Sequence, residues 1–320
     1  MKKNIAVIGC GYWGKNLIRN FSELDSLVAV CDSNHQLAQS YCEKYKVDNL
    51  SIDCIIKNKN IEGVVIAAPA SLHSSMAIEM MNAGKHVFVE KPLAINLTDA
   101  HAMIKSAKKN DVQLMVGHLL QYHPIFVTLR KLVESNYFGT LKYIYSNRLS
   151  LGKIRTEEDV IWSFAPHDIS MILSLIKNEP DEVSSEASCL LQPSIADIAT
   201  IHMKFSSGLN AHVSVSWFHP YKEQKLVVIG EKATAVFDDT KNWEKKLAIY
   251  HHVLNISQKK PNIEKSDVEY ITVPEAEPLR NECIHFLKSI ENDESPITNG
   301  QEGLRVLSVL KRASFNKIQK

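Results

Sequence analysis

The chain has 320 residues, enough for two domains of ordinary size with separate cores. With 45% hydrophobic and 23% charged residues and a formal charge of +1, it has an ordinary globular composition and no basic stretch dense enough to track nucleic-acid phosphates. No apolar run approaches the roughly 20 residues needed to span a bilayer, and Gly9, Gly11 and Gly14 cut the first apolar run too early for a signal-peptide core, so no membrane partner and a cytoplasmic location are expected.

Residues 4–8, NIAVI, lead into GCGYWG, and in the KNLIRNFSEL that follows Leu17, Ile18 and Phe21 recur at helical spacing. This reads as strand, tight turn and helix. A second apolar run, SLVAVCD, ends on Asp32, 23 positions after Gly9. GxGxxG alone is weak, but a strand before it, a helix after it and an acid ending the next strand supply the context of a dinucleotide-binding unit. Gly9 permits the tight turn, Gly11 lets backbone approach a pyrophosphate, and Gly14 lets helix and strand pack closely. The helix N-terminus then faces the phosphates with unpaired amides. Tyr12 and Trp13, inside the turn, belong to the same cofactor-binding set. Asp32 would accept hydrogen bonds from ribose hydroxyls and repel a 2′-phosphate, which favours NAD over NADP.

Strands and helices keep alternating to about residue 118. The runs VVIAA, HVFVE and QLMVG are nearly all apolar, as expected of strands covered on both faces. The prediction is a parallel, doubly wound Rossmann sheet over residues 1–121, with ligands at the carboxyl ends of its strands. Those ends carry Ala68, Pro69, Glu90, Lys91 and His118. Ala68, Pro69, Glu90 and Lys91 join the cofactor-binding set. Lys91 stands where the nicotinamide should reach, and an ammonium there stabilises developing alkoxide charge. His73 starts the next helix and shapes the cofactor pocket.

From about Tyr122 the alternation stops. HPIFVTLRKLVESN reads as one amphipathic helix, followed by alternating strand-like segments: TLKYIYSNRLSL, DIATIHMKFSSG, LNAHVSVSWFH, QKLVVIG and KATAVFDD. Residues 122–320 are therefore expected to form an α+β domain with a mostly antiparallel open sheet. Two terminal helical stretches, LRNECIHFLKSIEND and GQEGLRVLSVLKRASF, could pack back toward the first domain. The polar stretch at about 257–270 is expected to be a loop or insertion. Within IWSFAPHDIS, residues 161–170, Pro166 and Asp168 read as a helix entrance, with Asp168 capping ISMILSLI. The six cysteines show no CxxC spacing, so reduced and mostly buried thiols are expected. His251 and His252 are adjacent and would point apart on a strand, and no metal site is expected.

Taken together, GCGYWG, Asp32, AAPASLH, AGKHVFVEKPLA, MVGHLLQYHP, APHDI and the C-terminal SPITNGQEGLRVL resemble the Gfo/Idh/MocA family of sugar and inositol dehydrogenases. The resemblance implies that the nicotinamide lies near Lys91 and that a histidine from the second domain completes the site. It puts His167 in the position of the catalytic base, beside Lys91. Many members carry aspartate four residues before that histidine, where this chain has Ser163. Leu119 and Leu120 replace polar residues of many relatives, which argues against simple transfer of a glucose or inositol substrate.

The longer segment NRLSLGKIRTEEDVIWSFAPHDIS resembles the subgroup that oxidises the C3 hydroxyl of UDP-N-acetylglucosamine or its uronate, ahead of amination at C3. A UDP-sugar partner and a substrate set of His118, Arg148, Lys153, Arg155, Trp162, Ser163 and His167 are thereby implied. Arg148, Lys153 and Arg155 either clamp a diphosphate or are solvated, and Trp162 either packs on the sugar or, the safer reading, fills core. The resemblance also implies that residues 122–320 serve substrate binding and oligomerisation, with a homodimer or homotetramer carried over from the family. Two alternatives stay open: a dehydrogenase of a free sugar or inositol on the same scaffold, and a non-catalytic dinucleotide-binding sensor.

Overall fold

The run IAVI forms β1 (Ile5–Ile8), fully buried along its length, and opens a chain that a computed structural model describes over residues 3–152, 154–156, 158–255 and 262–314. There follow α1 (Gly14–Glu23), β2 (Leu27–Cys31), α2 (His35–Tyr45), β3 (Asp48–Asn49), α3 (Ile52–Lys57), β4 (Gly63–Ile66), α4 (His73–Asn82), β5 (His86–Val89), α5 (Leu97–Asn110) and β6 (Leu114–Val116). All six strands are parallel, in the order β3-β2-β1-β4-β5-β6. The order reverses between β1 and β4, which creates the crevice at the carboxyl ends where doubly wound sheets hold ligands.

The second architecture comprises α6 (Pro124–Glu134), β7 (Leu141–Leu151), α7 (Val160–Ile176), β8 (Glu182–Ser188), β9 (Ile198–Lys204), β10 (Asn210–Ser216), β11 (Phe218–Gly230), β12 (Ala233–Asp238), β13 (Leu247–Asn255) and β14 (Asn262–Tyr270). Helices α8 (Pro278–Asn292) and α9 (Gly300–Ala313) close the chain. The sheet order is β14-β13-β12-β11-β7-β10-β9-β8, antiparallel except between β10 and β7. Strand β7 therefore sits mid-sheet, hydrogen-bonded on both edges, and α7 packs against β7, β9 and β10.

The chain divides into two compact units, Met1–Tyr122 with Glu277–Leu307, and His123–Ala276 with Ser308–Lys320. In the first, α1 buries Leu17, Ile18 and Phe21, and α8 meets it with Cys283, Phe286 and Ile290. The Phe286 ring packs edge-on to Phe21 and Phe88, at 6.4 and 5.6 Å between centroids. Each aromatic buried this way removes enough apolar surface from water to stabilise by roughly 1.5–3 kcal/mol.

Two expectations are corrected. Residues 262–270 of the polar stretch form the edge strand β14, paired antiparallel with β13, because an edge strand buries little and tolerates polar residues. The helix expected to open at Pro166 begins instead at Val160, with the Asp159 side chain accepting the Trp162 N–H at 3.0 Å. Pro166 lies inside that helix and removes one internal hydrogen bond, which tertiary packing of an almost wholly apolar helix offsets.

Candidate active site

The turn after β1 is shaped by contacts that admit only glycine at two positions. A Cβ on Gly9, whose φ is +97°, would lie 2.5 Å from the Ala67 carbonyl oxygen, and one on Gly14 would lie 1.9 Å from the Gly9 carbonyl oxygen. The turn thus rests on the end of β4 and against the start of α1. At Gly11 the situation differs, since a Cβ would meet no protein atom within 4 Å. The open cradle lies beside α1, which starts without a side-chain cap, and this is the arrangement a pyrophosphate requires. Asp32, ending β2, accepts the Cys10 N–H at 2.6 Å and the Asn34 N–H at 2.8 Å, which fixes its carboxylate at the rim of the same turn. Tyr12 is exposed, with Lys15 Nζ 5.0 Å from its ring centre.

The end of β5 joins this turn through Glu90. The Trp13 indole N–H donates to Glu90 Oε1 at 2.5 Å, and the Lys91 N–H donates to Oε2 at 3.3 Å. The carboxyl packs against Gly117, where a Cβ would come within 2.8 Å of Oε2. Burial pushes the Glu90 pKa up to about 7, against the opposing pull of Trp13, Lys91 and His118. Lys91 itself is half-buried and precedes a cis bond to Pro92.

His73, 1% exposed, lies with Nδ1 2.8 Å from the Pro92 carbonyl oxygen and Nε2 2.9 Å from that of Ala68. Burial lowers its pKa, so the ring is neutral and donates to one of these carbonyls at a time. Ala68 and Pro69, after β4, are thereby tied to the segment that carries Lys91. His118 is 2% exposed, with Nδ1 2.5 Å from Glu302 Oε2. Leu120 is buried beside it.

A pH dependence follows from Glu90. Its folded-state pKa lies above the unfolded carboxyl value of about 4.3, so its stabilising contribution is full below that value and fades as pH rises through about 7. Glu90→Gln, which cannot ionise, is expected to gain in melting temperature relative to the parent at pH 8 compared with pH 5. Thermal melts of both proteins at the two pH values check this, and a pH-independent difference would contradict it.

In the second unit, α7 presents His167, half-buried, next to a fully buried aspartate. Asp168 does not cap a helix. Its carboxylate accepts Arg148 Nε–H at 2.5 Å, an Arg148 Nη–H at 3.3 Å and the Ser146 hydroxyl at 2.5 Å. Both partners stand on β7, so the aspartate bolts α7 to the centre of the sheet. Arg148, expected as a phosphate clamp, is committed to this pair. Trp162 donates its indole N–H to Ser314 Oγ at 3.2 Å, with Lys311 Nζ 5.3 Å from its ring centre, which is a packing role against α9. Ser163 is buried on α7. Arg155 is exposed and paired with Glu158 at 3.0 Å. Lys153 lies outside the described residues.

Sequence reasoning missed the inward role of Asp168, and it passed over Glu282 and Glu302. A usable signal existed for the first: one acid within VIWSFAPHDISMILSLI cannot be solvated on an otherwise apolar helix and calls for a basic partner. Among the described residues, no group of three or more His, Cys, Asp or Glu side chains is placed to hold a metal ion, and no helix is long and apolar enough to cross a membrane. The cysteines are free; Cys10, Cys31, Cys42 and Cys283 are buried, Cys189 is half-buried and Cys54 is exposed.

A parallel Rossmann sheet with a glycine turn, a fixed acid at the second strand and a lysine at the strand ends defines a dinucleotide-dependent oxidoreductase. Comparison with known proteins gives the family. Residues 3–118 match the oxidoreductase family model described as an NAD-binding Rossmann fold, and residues 126–236 match the GFO/IDH/MocA C-terminal domain. The chain belongs to the Gfo/Idh/MocA family.

UDP-N-acetylglucosamine 3-dehydrogenase of Acidithiobacillus ferrooxidans is 26% identical over 94% of this chain and 93% of its own. A solved structure of that enzyme superposes with a TM-score of 0.87 at 25% identity, covering 98% of this chain and 96% of its own. Myo-inositol 2-dehydrogenase of Thermotoga maritima is 25% identical over 95% of this chain and 92% of its own. A levoglucosan dehydrogenase, solved with NADH and levoglucosan, shares the fold at a TM-score of 0.84 and 19% identity, over 98% of this chain and 96% of its own.

Proposed function

We infer that this oxidoreductase uses NAD⁺ to oxidise the C3 hydroxyl of a UDP-N-acetylhexosamine, UDP-N-acetylglucosamine or its uronate, to the 3-keto sugar. The observation that carries the reading is the similarity along nearly the whole chain to a UDP-N-acetylglucosamine 3-dehydrogenase, in sequence and in fold. The preference for NAD⁺ over NADP⁺ rests on Asp32, whose anchored carboxylate suits ribose hydroxyls and opposes a 2′-phosphate. The 3-keto product is the substrate a C3 aminotransferase requires, in the cytoplasmic synthesis of a surface polysaccharide or lipid A sugar. The protein would act as a homodimer or homotetramer.

A bound nicotinamide supplies the hydride acceptor. His167 takes the hydroxyl proton, for which a neutral imidazole is suited near neutral pH. Lys91 holds the same oxygen and stabilises its alkoxide character. Glu90, Trp13 and the His73 contacts fix the segment from which Lys91 projects. Arg155 and Lys153 are the remaining cations of the 148–155 segment for a diphosphate, once Arg148 is assigned to Asp168. Ser163 and His118 complete the proposed substrate set, to which Trp162 contributes through its packing on α9.

A second reading, oxidation of a free inositol or sugar, is favoured by the comparable similarity to myo-inositol 2-dehydrogenase. Leu119 and Leu120 weigh against it. The test is NAD⁺ and NADP⁺ reduction with UDP-N-acetylglucosamine, its uronate, and free polyols, with product masses read directly. A mass two units below a UDP-sugar substrate is expected, and turnover confined to the polyols would replace the first reading with the second.

A further inference from the structure

Glu282 on α8 is fully buried, and neither of its carboxyl oxygens has a hydrogen-bond partner among the described residues. Leaving such a group unsatisfied costs about 1–3 kcal/mol, and a helix position that needed only packing would take leucine or methionine instead. The titratable groups that interact with it are Glu90 at the end of β5, Tyr122 after β6, Glu302 on α9 and its chain neighbour Cys283; Lys91 and His118 act in turn on Glu90. Burial raises its pKa well above the ordinary carboxyl value, and the proximity of Glu90 and Glu302 raises it further, which favours its protonated form.

Its neighbour offers the complementary deficiency. A carboxylate can accept about four hydrogen bonds, and Glu90 has capacity beyond the Trp13 and Lys91 N–H groups that reach it. Glu90 links three strand ends of the dinucleotide site: the turn after β1 through Trp13, the end of β5, and the end of β6 through Gly117. A wandering Glu90 would release the indole and the lysine segment together.

We propose that Glu282 is a positioning residue of the dinucleotide site: a buried acid near Glu90 that donates a hydrogen bond to it through one water, and so steadies Trp13 and the Lys91 amide. The proposal rests on the dinucleotide-binding fold and is independent of which sugar is oxidised.

The ionisation of Glu90 reports on this donor. Trp13 emission, taken as the difference between the protein and its Trp13→Phe variant, is expected to titrate with a midpoint near 7, and Glu90→Gln to abolish the transition. Glu282→Gln keeps a donor and leaves the midpoint in place or lower. Glu282→Leu removes the donor and moves the midpoint up by about one pH unit, a ten-fold loss in the ionisation constant. It also weakens NAD⁺ binding at pH 7.5, measured calorimetrically without any sugar, while Glu282→Gln does not. Glu282→Met gives the same comparison if the leucine variant does not fold. A midpoint and an NAD⁺ affinity unchanged in the folded apolar variant would overturn the proposal. Failure of every sugar to turn over would bear on the substrate and leave these titrations intact.

Discussion

Alanine in place of Lys91 is expected to lower kcat for the sugar substrate by about 10²–10³-fold, the usual effect of deleting one group that stabilises oxyanion charge in a transition state. His167→Ala is expected to lower it by about 10²–10⁴-fold, as for loss of a general base. Neither change should move NAD⁺ affinity far, because the proposed dinucleotide contacts are the turn after β1 and Asp32. In the proposed mechanism the two groups act on one oxygen, so the double variant should fall well short of the product of the single effects. Steady-state rates together with calorimetric NAD⁺ binding separate these outcomes. Full turnover in either single variant would remove that residue from the chemistry, and a matching loss of NAD⁺ binding would make its role structural.

Asp168→Ala is the substitution expected to cost the most stability. It strips a carboxylate that is 1% exposed from an arginine side chain that is 12% exposed, leaving a charge in the interior. Breaking a buried pair from one side destabilises by about 3–5 kcal/mol. Arg148→Met alone should cost a similar amount, since the Asp168 charge is then left with the Ser146 hydroxyl. Joint replacement, Asp168→Leu with Arg148→Met, should recover most of the loss, because apolar groups of similar volume fill the site without a charge to bury. Denaturant midpoints of Asp168→Leu, Arg148→Met and the joint variant give the coupling energy. Additive losses would show that the contact at 2.5 Å contributes little. Activity supplies a second reading: Asp168 sits one residue from His167 and ties α7 to β7, so kcat should fall in the single variants even where the fold survives.

Much of the first unit was legible in the chain. A strand buried on both faces must be apolar throughout, a helix covering it must be apolar on one face, and a turn beneath a phosphate must be glycine. NIAVI, Leu17-Ile18-Phe21 and GCGYWG meet these requirements locally, within one βαβ unit of short range. Lys91 was legible for a related reason, since the end of a buried strand is a defined place. Edge strand β14 was not, because a strand that buries little leaves no periodic signal.

The behaviour of the polar residues belongs to tertiary structure. Asp168 looked like a cap because Pro166 precedes it, and a proline usually stands at a helix start. The helix nevertheless begins at Val160 and keeps the proline inside, because β7 offers Arg148 and Ser146 to the aspartate 20 and 22 positions away in sequence. Glu282 and Glu302 gave no local hint of interacting with Glu90 and His118, nearly two hundred residues earlier in the chain. What the sequence by itself determined was where backbone must be glycine and where side chains must be apolar, since covalent geometry and burial act within a few residues. Which charged groups meet, and therefore which are held, neutralised or left to act, was decided by the tertiary structure, because partners for buried charge are chosen across the fold.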